Sequence, residues 1–104
     1  MASCSAQPAY AAKKLVKFSC DGYEAVLQRT GNQPITASII PEGGIWTEVP
    51  PNGKSDNIFL YNIVTSKLAV MGKDTNGGVF LQIYRDIDFY HAHQPQHSLR
   101  CRVG

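Results

Sequence analysis

The stretch Val79-Phe80-Leu81-Gln82-Ile83-Tyr84-Arg85 decides the fold class, because apolar side chains recur in it at a spacing of two. The same spacing is found in Ile35-Thr36-Ala37-Ser38-Ile39 and in Leu99-Arg100-Cys101-Arg102-Val103. Successive side chains of a β-strand point to opposite faces of a sheet, so this period predicts strands with one buried face. The chain is therefore predicted to be all-β.

Turn residues divide the chain into short segments. Asp21-Gly22, Pro50-Pro51-Asn52-Gly53 and Asn76-Gly77-Gly78 suit tight turns, because Gly and Asn accept positive φ at little cost. Short loops of this kind favour neighbouring strands that run antiparallel. Strands are predicted near residues 9–20, 22–30, 34–41, 44–49, 57–64, 67–72, 78–86, 87–93 and 98–103.

Two architectures fit a series of short antiparallel strands. The preferred one is a single domain, residues 1–104, in which two antiparallel sheets pack face to face as a β-sandwich. The alternative is a β-trefoil, because residues 59–70 followed by 78–82 read like a ricin-B-type repeat. No second copy of that repeat is visible, and the twelve strands of a trefoil are hard to fit into 104 residues.

Composition excludes several classes of function. Hydrophobic residues make up 43% of the 104 residues and charged residues 17%, which is typical of a globular protein. A net charge of +2 does not predict a nucleic-acid partner. No stretch approaches the ~20 apolar residues of a membrane span, so no membrane insertion is expected. The start of the chain has no signal-peptide pattern, which predicts a cytoplasmic protein or one that reaches the cell surface or exterior by a leaderless route.

The cysteines and histidines leave open questions. Cys4, Cys20 and Cys101 are either three thiols or one disulfide with one cysteine left over, and Cys101 would then pair with Cys4 or Cys20. His91 and His93 would share one face of a strand and could grip a metal ion, with His97 nearby. Solvated surface histidines are the commoner outcome, and we predict no metal and no cofactor.

Aromatic, amide and carboxylate side chains suggest recognition of a neutral sugar. An exposed ring can stack on the C–H face of a sugar while polar groups around it bind the hydroxyls. Trp46, the only tryptophan, is either such a ring or part of the core. No nucleophile motif or phosphate loop is present in the sequence, so no enzymatic activity is predicted.

The segment Gly44-Ile45-Trp46-Thr47-Glu48-Val49-Pro50-Pro51-Asn52-Gly53-Lys54, with the strands that follow to Arg85, resembles the small slime-mould hemagglutinins. The resemblance implies a reduced sandwich of the concanavalin A-like or galectin-like type and a lectin that binds cell-surface glycans or glycoproteins. Two departures limit it. The galectin His-X-Asn-Pro-Arg strand is absent, and no acidic cluster suggests the calcium and manganese pair of legume lectins.

The sequence thus predicts a carbohydrate-binding hemagglutinin, and a homodimer, since agglutination needs at least two sugar sites. The alternative is a protein-interaction or inhibitor domain that uses the same exposed aromatics. The predicted carbohydrate-binding residues combine a flexible loop with the end of a later strand; they are Trp46, Glu48, Asn52, Asp56, Asn57, Arg85, Asp88 and Tyr90.

Overall fold

The computed structural model describes residues 13–50 and 55–104. It contains eight β-strands and one short helix within these residues. In chain order they are β1 (Lys13–Cys20), β2 (Tyr23–Thr30), β3 (Thr36–Ile40), β4 (Trp46–Val49), β5 (Ile58–Tyr61), β6 (Leu68–Lys73), β7 (Val79–Tyr84), α1 (Ile87–His91) and β8 (His97–Val103).

The strands form a closed antiparallel barrel in which each strand pairs with its neighbours in the chain. The last strand returns to the first, where Phe18 pairs with Val103 and Ser19 with Arg102. The predicted two-sheet sandwich is therefore wrong. One buried face per strand is required by both architectures, and only the long-range pairing of β1 with β8 distinguishes them. The simple up-and-down order of eight strands also differs from the trefoil alternative.

The turn between β1 and β2 shows how the sequence sets strand pairing. Asp21 and Gly22 both adopt positive φ, at 50° and 93°. Two residues with positive φ give a turn whose twist matches that of the flanking strands. The ladder that follows is the longest in the barrel and runs from Cys20 opposite Tyr23 to Lys13 opposite Thr30.

The barrel interior is a single apolar core built from the inward side of each strand. Trp46, Ile39, Leu60, Leu81 and Ile83 have no exposed surface. A disulfide between Cys20 and Cys101 lies in the same core and joins β1 to β8. One of the open cysteine pairings is thereby selected, while Cys4 lies outside the described residues.

The predicted strand at 87–93 is wrong, because residues 87–91 form α1. The Asp86 carboxylate accepts hydrogen bonds from the N–H groups of Asp88 and Phe89, at 3.0 and 3.2 Å, and so begins the helix. Phe89 and Tyr90 then pack on a second apolar cluster outside the barrel. That cluster is formed by the outward residues Phe59, Leu68, Val70 and Tyr84.

Candidate functional site

The end of the barrel formed by the start of β1 and the end of β2 contains a cleft of about 630 Å³, named here the mouth cleft. Its wall is mainly aliphatic and aromatic, with polar side chains from the segment before β5 and the end of β6. The lining residues are Phe18, Leu27, Asp56, Asn57, Ile58, Met71, Gly72, Lys73 and Val79.

Gly72 makes room for one of the polar side chains of the mouth cleft. A Cβ atom at this position would collide with the Asn57 amide and lie 3.0 Å from the Phe80 ring. A side chain at position 72 would therefore force Asn57 and Phe80 to move. The absence of a side chain at Gly72 therefore lets Asn57 lie directly against the strand. The Asn57 N–H also donates to the Ser55 hydroxyl at 3.1 Å, which holds the end of the loop.

The β1–β2 hairpin extends past the rest of the barrel on this side. The ladder of β8 on β1 ends at Phe18, apart from a bond in which the Gly104 N–H donates to the Lys17 carbonyl. The ladder of β3 on β2 ends at Gln28. Among the described residues, residues 13–16 therefore pair only with β2, and residues 29–30 pair only with β1. We call these two stretches the ribbon.

A second groove of about 260 Å³ runs along the ribbon. Its wall is almost wholly apolar, and two cationic residues, Lys14 and Arg29, also line it. It shares Phe18, Leu27 and Ile58 with the mouth cleft, so the two hollows adjoin at these side chains. Its further lining residues, in the strands and in the loop before β3, are Lys14, Val16, Gln28, Arg29 and Ile35. We call it the ribbon groove.

Glu48 contacts Arg29 of the ribbon groove with a carboxylate that is already engaged. One oxygen accepts a hydrogen bond from the Ile35 N–H at 2.9 Å. The same oxygen lies 3.5 Å from Arg29 Nη2, a long and partly exposed contact. The shorter of these two interactions holds the loop before β3, and the longer one neutralises the charge of Arg29 only in part.

The predicted carbohydrate-binding residues fall at both ends of the barrel. Asp56 and Asn57 line the mouth cleft, whereas Glu48 lines a separate hollow that shares Arg29 with the ribbon groove. Trp46 is fully buried, and its indole N–H donates to the Gly43 carbonyl at 3.2 Å, so its ring faces are not available to a sugar. Asn52 lies outside the described residues.

Arg85, Asp88 and Tyr90 lie around α1, at the opposite end from the mouth cleft. The Arg85 guanidinium stacks over the Phe89 ring at 5.1 Å. Tyr90 packs edge-on against Phe59 and Tyr84, with ring centroids 5.4 and 5.3 Å apart. Burial raises the pKa of the Tyr84 phenol, and the neighbouring Tyr90 raises it further. This group supports the packing of α1 and does not complete a site with Asp56 and Asn57.

The histidine geometry assumed from the sequence is wrong. His91 ends α1, and His93 lies in the following turn with a φ of 57°, so the two do not share a strand face. His97 is at the start of β8, with Nε2 4.0 Å from a Glu42 oxygen. No group of three metal-ligating side chains occurs in residues 13–50 and 55–104.

Phe18, Leu27, Ile58, Met71 and Lys14 were not predicted as site residues, although they line the two hollows. Each of them fits the alternating pattern of an ordinary strand. The only signal in the sequence is Lys14, a charged residue on the same face as Val16 and Phe18.

In the described residues, no helix has the length and apolar character needed to cross a membrane. None of the protein families, curated proteins or solved structures compared with this chain matches it. Evidence for a function therefore comes from the geometry of the mouth cleft and the ribbon groove.

Proposed function

We propose that this protein is a non-catalytic binding protein that holds a small ligand with an apolar body in the mouth cleft. The observation behind the proposal is the cleft itself, about 630 Å³ in volume. Binding sites for small molecules usually have this size, a mainly apolar wall and a few polar groups that orient the ligand. Phe18, Ile58, Met71 and Val79 supply such a wall, and Asp56, Asn57 and Lys73 supply the polar groups.

A neutral fluorescent probe tests the proposal on the full chain. N-phenyl-1-naphthylamine, whose emission rises in apolar surroundings, is expected to bind the native protein saturably. Ile58→Asp places a charge in the cleft wall and should weaken binding about tenfold or more, since a buried unpaired charge costs several kcal/mol.

The matched control is Ile45→Asp, because Ile45 is 64% exposed and lies in the loop before β4 at the other end of the barrel. It should leave the affinity unchanged. Circular dichroism and thermal unfolding confirm that both variants fold. The proposal is overturned if the native protein shows no saturable binding, or if a folded Ile58→Asp variant binds as well as the native protein.

Carbohydrate binding is the second candidate, and one observation favours it. Asp56 and Asn57 line the same cleft as the Phe18 ring. A carboxylate and an amide can bind sugar hydroxyls while the ring stacks on the C–H face. A glycan array on the native protein and on an Asp56→Ala/Asn57→Ala variant tests this function. Glycan binding that the variant loses, with probe binding retained, supports it.

Hemagglutination by this route would also need more than one cleft in each particle. We propose a homodimer in that case, and edge-strand pairing is its simplest form. Closure of the barrel removes most strand edges, and the ribbon keeps one along residues 13–16 of β1. Sedimentation of the native protein at several concentrations decides whether such a dimer forms.

A further inference from the structure

We infer that the ligand is an anionic amphiphile, with its apolar chain in the ribbon groove and mouth cleft and its acid group between Lys14 and Arg29. The inference depends on the proposed function and names the ligand class. It follows from the order of side chains along the inner face of the β1–β2 hairpin, which changes from apolar to cationic with distance from the core.

The strand register places two cations directly opposite each other. Lys14 pairs with Arg29, Val16 with Leu27 and Phe18 with Ala25. Since Phe18 and Leu27 face the cleft, the alternation of β1 and β2 puts Lys14 and Arg29 on that same inner face, and both line the ribbon groove. Like charges directly opposite in a sheet destabilise the pair, and an anion between them would remove the repulsion.

The outer face of the same hairpin does not repeat this arrangement. There Lys17 has a carboxylate partner, Glu24, at 2.9 Å. Lys14 forms no ion pair with any of the described residues, and Arg29 has only the 3.5 Å contact to a Glu48 oxygen that already accepts from Ile35. On the outer face Lys13 lies opposite the neutral Thr30, so the inner face is where the hairpin places two cations opposite each other.

The remaining charges around the hollows leave this balance positive. Asp56 and Lys73 line the mouth cleft, one of each sign. Glu48, whose carboxylate lies 3.5 Å from Arg29, supplies the second negative charge against Lys14, Arg29 and Lys73. A ligand with one negative charge matches the one excess positive charge of these groups.

The length of the hairpin face matches an extended alkyl chain of moderate length. Lys14 and Phe18 are four residues apart on β1, which corresponds to about 13 Å along a strand. Val16, Leu27 and Ile35 lie between the cations and the Phe18 ring, and Met71 and Val79 continue the apolar wall beyond it. An acid group held at Lys14 would thus direct its chain toward the barrel.

Three probes of equal chain length separate the acid group from the apolar body. Dodecanoate, dodecanol and dodecyltrimethylammonium are titrated, each as a dispersed monomer, by displacement of N-phenyl-1-naphthylamine. Dodecanoate is expected to bind about tenfold more tightly than dodecanol, because its carboxylate can accept charge-assisted hydrogen bonds that the alcohol cannot match; tenfold corresponds to about 1.4 kcal/mol. The cationic probe should bind more weakly than dodecanol.

Lys14→Gln/Arg29→Gln should bring the affinities for dodecanoate and dodecanol to within about twofold. The matched control, Lys13→Gln/Lys17→Gln, removes the same charge from the outer face of β1 and should keep the preference. Equal binding of dodecanoate and dodecanol by the native protein overturns the inference and leaves the proposed function intact. An equal loss in both variants also overturns it, because net charge alone then explains the preference. If no probe binds, the proposed function fails and the inference fails with it.

Discussion

The disulfide between Cys20 and Cys101 offers the sharpest test of the barrel. It joins residues that are directly opposite each other, one position beyond the two-pair ladder of β1 on β8. By comparison, β6 and β7 share six residue pairs, and β1 and β2 share eight. The covalent bond therefore reinforces one of the shortest seams, and its loss should weaken closure of the barrel as a whole.

The magnitude follows from the sequence separation of 81 residues between the two cysteines. In the chain-entropy model, cross-linking a loop of this length removes about 15 cal/mol/K from the unfolded state, or about 4.5 kcal/mol at 25 °C. A domain of this size has a total free energy of unfolding of about 5–15 kcal/mol. Cys20→Ala/Cys101→Ala should thus remove a large part of the stability.

Urea unfolding followed by tryptophan fluorescence measures the effect, because Trp46 is buried in the same core. The comparison is made in a Cys4→Ser background, so that no third cysteine can exchange with the pair. Native protein treated with a dithiol reductant should lose about the same free energy as the double variant. Alkylation without reduction should modify only one of the three cysteines of the original chain.

A loss of less than about 1 kcal/mol in the oxidised-to-reduced comparison would refute this reasoning. It would mean that the unfolded chain is already restrained, or that the seam between β1 and β8 is stable without the bond. Alkylation of all three cysteines in the folded, unreduced protein would contradict the disulfide itself.

Two further predictions concern buried aromatic side chains. Trp46→Ala should lower the free energy of unfolding by about 3–5 kcal/mol, because it empties a fully buried site. The control Ile45→Ala, at a position 64% exposed, should change it by less than about 0.5 kcal/mol. A Trp46→Ala variant as stable as the native protein would contradict the core assignment. Because the folded pKa of Tyr84 is raised above 10.0, the unfolded state loses this proton first, so stability should fall as the pH rises above 10. Tyr84→Phe should show a smaller fall between pH 9 and 11 in urea unfolding, and an identical pH dependence in both proteins would count against the shift.

Strand positions could be predicted from the sequence because the local pattern determines them. Within the described residues, eight of the nine predicted segments coincide with strands, and the last of them, near 98–103, corresponds to β8 at His97–Val103. Alternation and turn residues act over a few neighbouring positions, and the Asp21-Gly22 turn is a direct example. Barrel closure is different, because it depends on Phe18 meeting Val103 from the far end of the chain.

The helix was missed for a physical reason. Ile87, Asp88 and Phe89 alternate apolar and polar as a strand would, and five residues are too few to show a helical period. Two longer-range effects decide the conformation instead. The Asp86 carboxylate caps the first turn, and Phe89 and Tyr90 find an apolar surface on the outward faces of β5, β6 and β7.

The candidate site could be predicted only in part, because a sandwich and a barrel leave different surfaces open to a ligand. In a sandwich, one face of each sheet stays open, and Trp46 could have stood on it. In a barrel the inward faces form the core, and Trp46 is buried there. The outward faces of β5 to β7 are covered where α1 packs on them. The ends of the barrel then remain for ligand binding. Asp56 and Asn57 lie at such an end by virtue of their loop, which is why the sequence reasoning included them.

The Lys14 and Arg29 pair shows most clearly what depends on register. Neither residue is unusual in its own segment, because a cation on an exposed strand is commonplace. A shift of the β1–β2 register by one residue would turn Arg29 to the other side of the sheet and separate the two charges. The observed register instead aligns them beyond Val16, Leu27 and Phe18, at the outer end of an apolar path. The proposed anionic amphiphile would use both properties of that path, and the alignment of the two cations does not exist before β1 and β2 pair.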